Sequence, residues 1–150
     1  MAEEALRPGE VVARPGEGKF GTRIEASGHG WVMDEPVPYG GLDAGPTPYD
    51  ALLAALGSCT SMTVRLVARQ ESIPLESITV RLRHDRNHAR DCAQYVEAGT
   101  RLEAIYRTIT LEGPLSEAQR KRLMDVADKC PVHRTLTGIL HIHTEEAAAG

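Results

Sequence analysis

Cys59 and Cys130 stand about seventy residues apart, each in a context suited to thiol chemistry. Cys59 lies in Ala-Leu-Gly-Ser-Cys-Thr-Ser-Met-Thr, within a long apolar, helix-forming run, and Cys130 lies in Lys-Cys-Pro-Val-His-Arg-Thr-Leu. A thiolate attacks electrophilic oxygen or sulfur, whereas the neutral thiol does not. Pro131 is placed to open a short helix capped by Cys130. Exposed backbone N–H groups and the helix dipole would then favour the Cys130 anion, with His133 and Arg134 adding positive charge. Cys59, among leucines, needs a cation from another segment, because desolvation disfavours its charged form. Arg14, Arg23 and Lys19 in the N-terminal third are the candidates, from this chain or from a second subunit. Taken alone, each cysteine reads more simply as a small packed hydrophobe. If the fold brings the two together, they can cycle between dithiol and disulfide.

The elements that must position them follow from periodicity and punctuation. Glu10–Arg14, Lys19–Ser27 and His29–Met33 read as strands separated by Pro15-Gly16-Glu17-Gly18 and by Gly28. Residues 34–46, with three prolines and three glycines, read as a loop. Thr47 can cap a helix with Pro48 at its first position and Asp50 in its first turn. Apolar residues from Ala51 to Ala68 cover nearly every side of it, which predicts a helix buried in the core or in a subunit interface. Ser77–Arg83 and Arg101–Leu111 alternate as strands, the second with Ile105, Arg107, Ile109 and Leu111 on one side. Ser116 and Gln119 form a capping box for a helix whose apolar face is Leu123, Val126 and Ala127. Pro131–Thr137 predicts a short helix and Ile139–Thr144 a last strand. The order βββ-α-ββ-α-β is that of an α+β domain. The 150 residues suit a single domain, with a core from about residue 10 to 144 and short flexible tails.

Composition narrows the function. The chain is 41% hydrophobic and 25% charged, with a net charge of −4, one Trp and one Phe. That lacks the basic footprint of a nucleic-acid binder. No apolar run is read as a membrane span and no signal peptide is read at the N-terminus, so the cytoplasm is the expected location. There, three cysteines fit free, catalytic or redox-cycling thiols better than a disulfide framework.

The run Gly45–Thr63, through Ala-Leu-Gly-Ser-Cys59-Thr-Ser-Met, resembles the first cysteine motif of the OsmC/Ohr family, and Ala127–Leu136 resembles the second. The resemblance spans roughly residues 18–144. It implies an OsmC-like fold with a long buried central helix, in an intertwined homodimer with active sites at the subunit interface. It also implies thiol-dependent reduction of organic or fatty-acid hydroperoxides in oxidative-stress defence. Cys59 would be the peroxidatic cysteine, forming a sulfenic acid that Cys130 resolves as a disulfide, and an external dithiol would reopen it. This cycle requires neither metal nor organic cofactor. The family's hydroperoxidases carry a glutamate ten residues before the first cysteine, which orients a catalytic arginine. Here that position is Tyr49. Arg14 or Arg23 would replace the arginine, with Asp34, Glu35 or Asp50 orienting it. The missing glutamate favours an alternative, a non-catalytic or redox-sensing protein holding a small hydrophobic ligand in the dimer cleft. Retention of both cysteines favours the peroxidase.

Other constellations carry less. His84, His88 and Cys92 have the i, i+4, i+8 spacing that aligns soft-metal ligands on a helix. They follow a strand and lack an obvious fourth ligand, so a solvated loop with an incidental thiol is the simpler reading. His141 and His143 fall on one side of the predicted last strand. Tyr39-Gly40-Gly41 lacks the strand–loop–helix setting of a phosphate cradle.

Overall fold

Two turn residues with positive φ, Ser27 at 50° and Gly28 at 78°, set the hairpin between Thr22–Ala26 and His29–Met33. Both central positions in the left-handed region make the primed turn that matches strand twist. The computed structural model describes residues 5–84 and 104–148. The chain divides into two compact units, Met1–Leu52 and Leu53–Gly150.

In the first unit, β1 (Val11–Pro15), β2 (Thr22–Ala26) and β3 (His29–Met33) form an antiparallel meander in that order. Arg14 stands opposite Arg23, and Ile24, which is buried, stands opposite Trp31. The Pro- and Gly-rich loop that follows is organised by one side chain. The buried carboxylate of Asp34 accepts the N–H groups of Glu35 at 2.8 Å, Leu42 at 3.0 Å and Ala44 at 3.2 Å. The Glu35 N–H leads these in holding the Asp34 carboxyl below its ordinary range, against the opposing effect of burial.

Helix α1 (Pro48–Gln70) begins in this unit and continues into the second. Thr47 Oγ1 accepts from Asp50 N–H at 3.2 Å, and the Asp50 carboxylate accepts from Thr47 N–H at 3.0 Å, a reciprocal cap. Only Leu56, Gly57, Thr60, Val64 and Ala68 are buried, an i, i+4 stripe, while Met62 and Leu66 are 64% and 55% exposed. One two-stranded sheet covers one helix face. By length and composition α1 is also apolar enough to cross a membrane, which the sequence reading did not anticipate.

In the second unit, β4 (Ser77–His84) pairs antiparallel with β5 (Ile105–Glu112). Ile78, Val80 and Leu82 face inward opposite Leu111, Ile109 and Arg107, while Thr79, Arg81, Arg83 and Tyr106 face out. On the outer face the Arg83 guanidinium lies 3.9 Å from the Tyr106 ring centre. A Cβ on Gly57 would sit 2.8 Å from Leu82 Cδ1, so the missing side chain lets β4 rest directly on α1. Helix α2 (Glu117–Ala127) opens with the expected Ser116–Gln119 capping box. Its Leu123, Val126 and Ala127 close a core with Val64, Ala68 and Leu111. The Arg122 guanidinium grips the Glu71 carboxylate through contacts of 2.6 to 3.1 Å, tying α2 to the end of α1. Helix α3 (Pro131–Thr137) follows, with Cys130 as its cap.

The last strand expected at Ile139–Thr144 does not form, so the element order among the described residues is βββ-α-ββ-α-α. A strand needs a neighbour's backbone groups, and among the described residues nothing pairs with this segment. Ile139 and Ile142 are 92% and 84% exposed.

Candidate functional site: a two-cysteine centre

The second unit brings Cys59 and Cys130 together. Cys59, on α1, is partly exposed and neighbours Cys130, which is fully buried. Both are free thiols. The i, i+4 stripe explains the placement. Thr60 points straight inward with Leu56 and Val64, so Cys59, one residue earlier, lies on the border between the buried face and the surface. Cys130 sits where α2 ends and Pro131 starts α3, and its Sγ accepts the His133 N–H at 3.4 Å.

Between the two elements lies Arg107. It occupies an inward position of β5, between Ile105 and Ile109, and its side chain is 11% exposed. A guanidinium on an apolar strand face is costly unless its hydrogens are met, and here four partners meet them. Nη1 donates to Thr60 Oγ1 at 2.9 Å and to the Ala127 carbonyl at 3.3 Å. Nη2 donates to Asp128 Oδ1 at 2.9 Å and to His133 Nδ1 at 3.1 Å. Arginine has no acceptor, so His133 Nδ1 must be the accepting nitrogen and the ring proton sits on Nε2. One side chain thereby joins α1, the end of α2 and the first turn of α3 around Cys130.

Burial pushes the Cys130 thiol up, but the groups around it outweigh that effect. The His133 N–H, the Thr60 hydroxyl, the Cys59 thiol and the Arg107 charge together hold it below the ordinary thiol value. Thr60 has a single hydroxyl hydrogen. It faces the Leu56 carbonyl at 2.7 Å and Cys130 Sγ at 3.8 Å, so the shorter bond holds it until Cys130 carries charge. A partly desolvated thiol pair beside a fixed cation is equipped for thiol–disulfide chemistry.

The residues singled out in the sequence are distributed as follows. Cys59, Cys130 and His133 meet in this centre. Arg134 stands in the last turn of α3. Arg14 and Arg23 are cross-strand neighbours on β1 and β2 of the first unit, Arg14 in an ion pair with Glu25 at 2.9 Å. Asp50 caps α1, and Glu35 follows Asp34 in the loop that Asp34 organises. Arg107 was not among the candidate cations, although its signal was present: a charge in phase with Ile105, Ile109 and Leu111 on an alternating strand. His84 ends β4 on the inward side, and His88 and Cys92 lie outside the described residues. Among the described residues, no group of histidine, cysteine and carboxylate side chains could hold a metal ion. In the first unit, Phe20, Ile24, Met33 and Pro48 line a largely apolar recess of about 340 Å³.

Comparison with known proteins agrees with this architecture. The sequence profile described as OsmC-like protein matches residues 40–145. No curated protein sequence matches the chain. Among solved structures, an OsmC-like protein from Mycoplasma pneumoniae superposes with a TM-score of 0.71 at 22% identity, covering 87% of each chain. An organic hydroperoxide resistance protein OsmC from Legionella pneumophila gives 0.64 at 18% identity, over 90% of this chain and 93% of that one. The organic hydroperoxide resistance protein OhrB of Bacillus subtilis gives 0.59 at 18%, over 89% and 93%. At these identities the likeness is one of fold.

Proposed function

The chain belongs to the OsmC-like protein family, and on that premise we propose that it is a cysteine-dependent peroxidase reducing organic hydroperoxides. The observation that carries the reading is the pair of neighbouring thiols, Cys59 and Cys130, beside the Arg107 guanidinium. Cys59, the accessible sulfur, is the nucleophile once its proton has gone to solvent. Its attack on the distal oxygen of a hydroperoxide breaks the O–O bond, giving an alcohol and a Cys59 sulfenic acid. The Cys130 thiol then displaces water to form the disulfide, and a small-molecule or protein dithiol restores both thiols. Each turnover consumes one hydroperoxide and one dithiol, and yields one alcohol, one water and one disulfide.

Arg107 takes the place that the sequence reading assigned to Arg14 or Arg23, and Asp128 takes that of the orienting carboxylate. The protein works as a homodimer. A second copy would cover the exposed Met62 and Leu66 on α1 and supply a pairing edge for Ile139–Thr144. A reducing compartment such as the cytoplasm keeps both thiols available.

The test is intact mass and a free-thiol count before and after one equivalent of cumene hydroperoxide, with peptide mapping. Loss of two thiols and a Cys59–Cys130 crosslink is the expected result. Three unreacted thiols with peroxide left in solution would sink the peroxidase. That outcome would favour the second reading, a hydrophobic-ligand binder, for which the apolar recess around Phe20 and Met33 is the observation.

A further inference from the structure

A disulfide between two different sulfurs can be opened from either side, and the surroundings of Cys59 and Cys130 are unequal. Cys130 is fully buried while Cys59 is partly exposed, so an incoming thiolate meets Cys59 first. The donors are unequal too. The His133 N–H points at Cys130 Sγ at 3.4 Å, and the Thr60 hydroxyl lies 3.8 Å from it. Arg107 holds both flanks of this pocket. Nη1 is bound to Thr60 on α1, and Nη2 is bound to Asp128 and His133 on either side of Cys130. These bonds fix the guanidinium, so its charge cannot swing away into solvent.

We propose that Arg107 is a positioning residue that gives the disulfide a direction: the reductant attacks Cys59, and Cys130 departs as the thiolate. The inference rests on the dithiol–disulfide reading above and adds which sulfur is electrophilic and what makes it so. The reductant thiolate forms a bond to Cys59 Sγ, the Cys59–Cys130 bond breaks, and its electron pair leaves on Cys130 Sγ. The Thr60 hydroxyl is then free to turn from the Leu56 carbonyl to the new anion. The second thiol of the reductant loses its proton and attacks the reductant sulfur of the mixed disulfide, expelling Cys59 as a thiolate. The two protons given up by the dithiol balance the two thiols regained. A thiolate that is better stabilised leaves faster, so an exposed sulfur bonded to a buried, stabilised one is opened from the exposed side.

The full-length protein is oxidised with diamide, mixed with excess glutathione, quenched in acid, alkylated and peptide-mapped. Glutathione is expected on Cys59 with Cys130 free, in at least about tenfold excess over the reverse adduct. Glutathione on Cys130, or an even split, overturns the direction while leaving the redox pair intact. Absence of any Cys59–Cys130 crosslink after diamide overturns both. Arg107→Met is expected to slow release of Cys130 by about tenfold at neutral pH and to erode the partition. Arg107→Lys, which keeps the charge, restores most of the loss. Arg107→Gln keeps two donors without charge, serves if the Met variant does not fold, and is expected to behave like it. An unchanged rate and partition in a folded, uncharged variant overturns the role of Arg107.

Discussion

Arg107 Nη1 lies 2.9 Å from Thr60 Oγ1, so a strand cation is fastened to the central helix one residue beyond Cys59. The same hydroxyl stands 3.8 Å from Cys130 Sγ. Thr60 is thus the point at which helix, strand and Cys130 share one polar network inside an apolar core.

Thr60→Val preserves the shape and removes the hydroxyl. The buried Arg107 Nη1 loses an acceptor, and leaving such a donor unmet costs about 1–3 kcal/mol. Urea unfolding should show that loss, and alkylation of Cys130 should require a higher pH. A variant with wild-type midpoint and alkylation profile would show the network to be inconsequential.

The cysteines should separate cleanly by mutation. Cys59→Ser should abolish consumption of cumene hydroperoxide. Cys130→Ser should permit one oxidation event per chain, detected as a sulfenic acid by dimedone, and then stop. Full turnover by Cys59→Ser would remove it as the nucleophile.

Stability should depend on pH through Cys130. Its folded-state pKa is lowered, so the folded chain releases this proton at lower pH than the unfolded chain. The contribution is complete above the ordinary thiol value and is lost as pH falls through the lowered one, so stability rises with pH between the two. The urea midpoint of the wild type minus that of Cys130→Ser should therefore climb with pH across this interval. A flat or falling difference contradicts the assignment.

Leu123 is 1% exposed at the centre of the second unit's core. Leu123→Ala should cost about 2–5 kcal/mol, from lost transfer energy and the cavity left behind. Chemical denaturation measures it directly, and a cost under about 1 kcal/mol would mean that the core collapses around the gap.

Removing residues 139–150 tests the dimer proposed above. Ile139, Leu140 and Ile142 are exposed, so truncation should leave the thermal unfolding of the monomer little changed and weaken self-association in sedimentation velocity. Unaltered association would assign the contact to the α1 face alone.

Much of this was legible in the sequence because local signals agreed. Thr47-Pro48-Asp50 marked the start of α1, Ser116 and Gln119 that of α2, and Leu123, Val126 and Ala127 its buried face. Period-two alternation placed β4 and β5. What failed depended on partners far along the chain. Apolar residues all round α1 give no means of telling a core face from one awaiting a second chain, so for Met62 and Leu66 core and subunit interface stood as alternatives. Alternation at Ile139–Thr144 states a capacity to pair and says nothing of what is available to pair with. Arg107 escaped notice because a cation for Cys59 was sought near the N-terminus. Its own strand position already identified it as an arginine aimed at the interior. The Asp34 loop looked unstructured because backbone N–H groups leave no trace in a side-chain pattern.

Arg107 is followed on the same strand face by Ile109 and Leu111, which help to hold the core together. Reactivity and foldedness are therefore encoded on one short stretch of backbone, and an alteration there is felt by both. The position outside this bind is Asp128, whose side chain is 71% exposed while still touching the guanidinium. Evolution or an engineer seeking a faster or slower thiol pair has its freest dial at that surface carboxylate, where a change of charge reaches the sulfurs through the guanidinium and leaves the apolar core side chains in place.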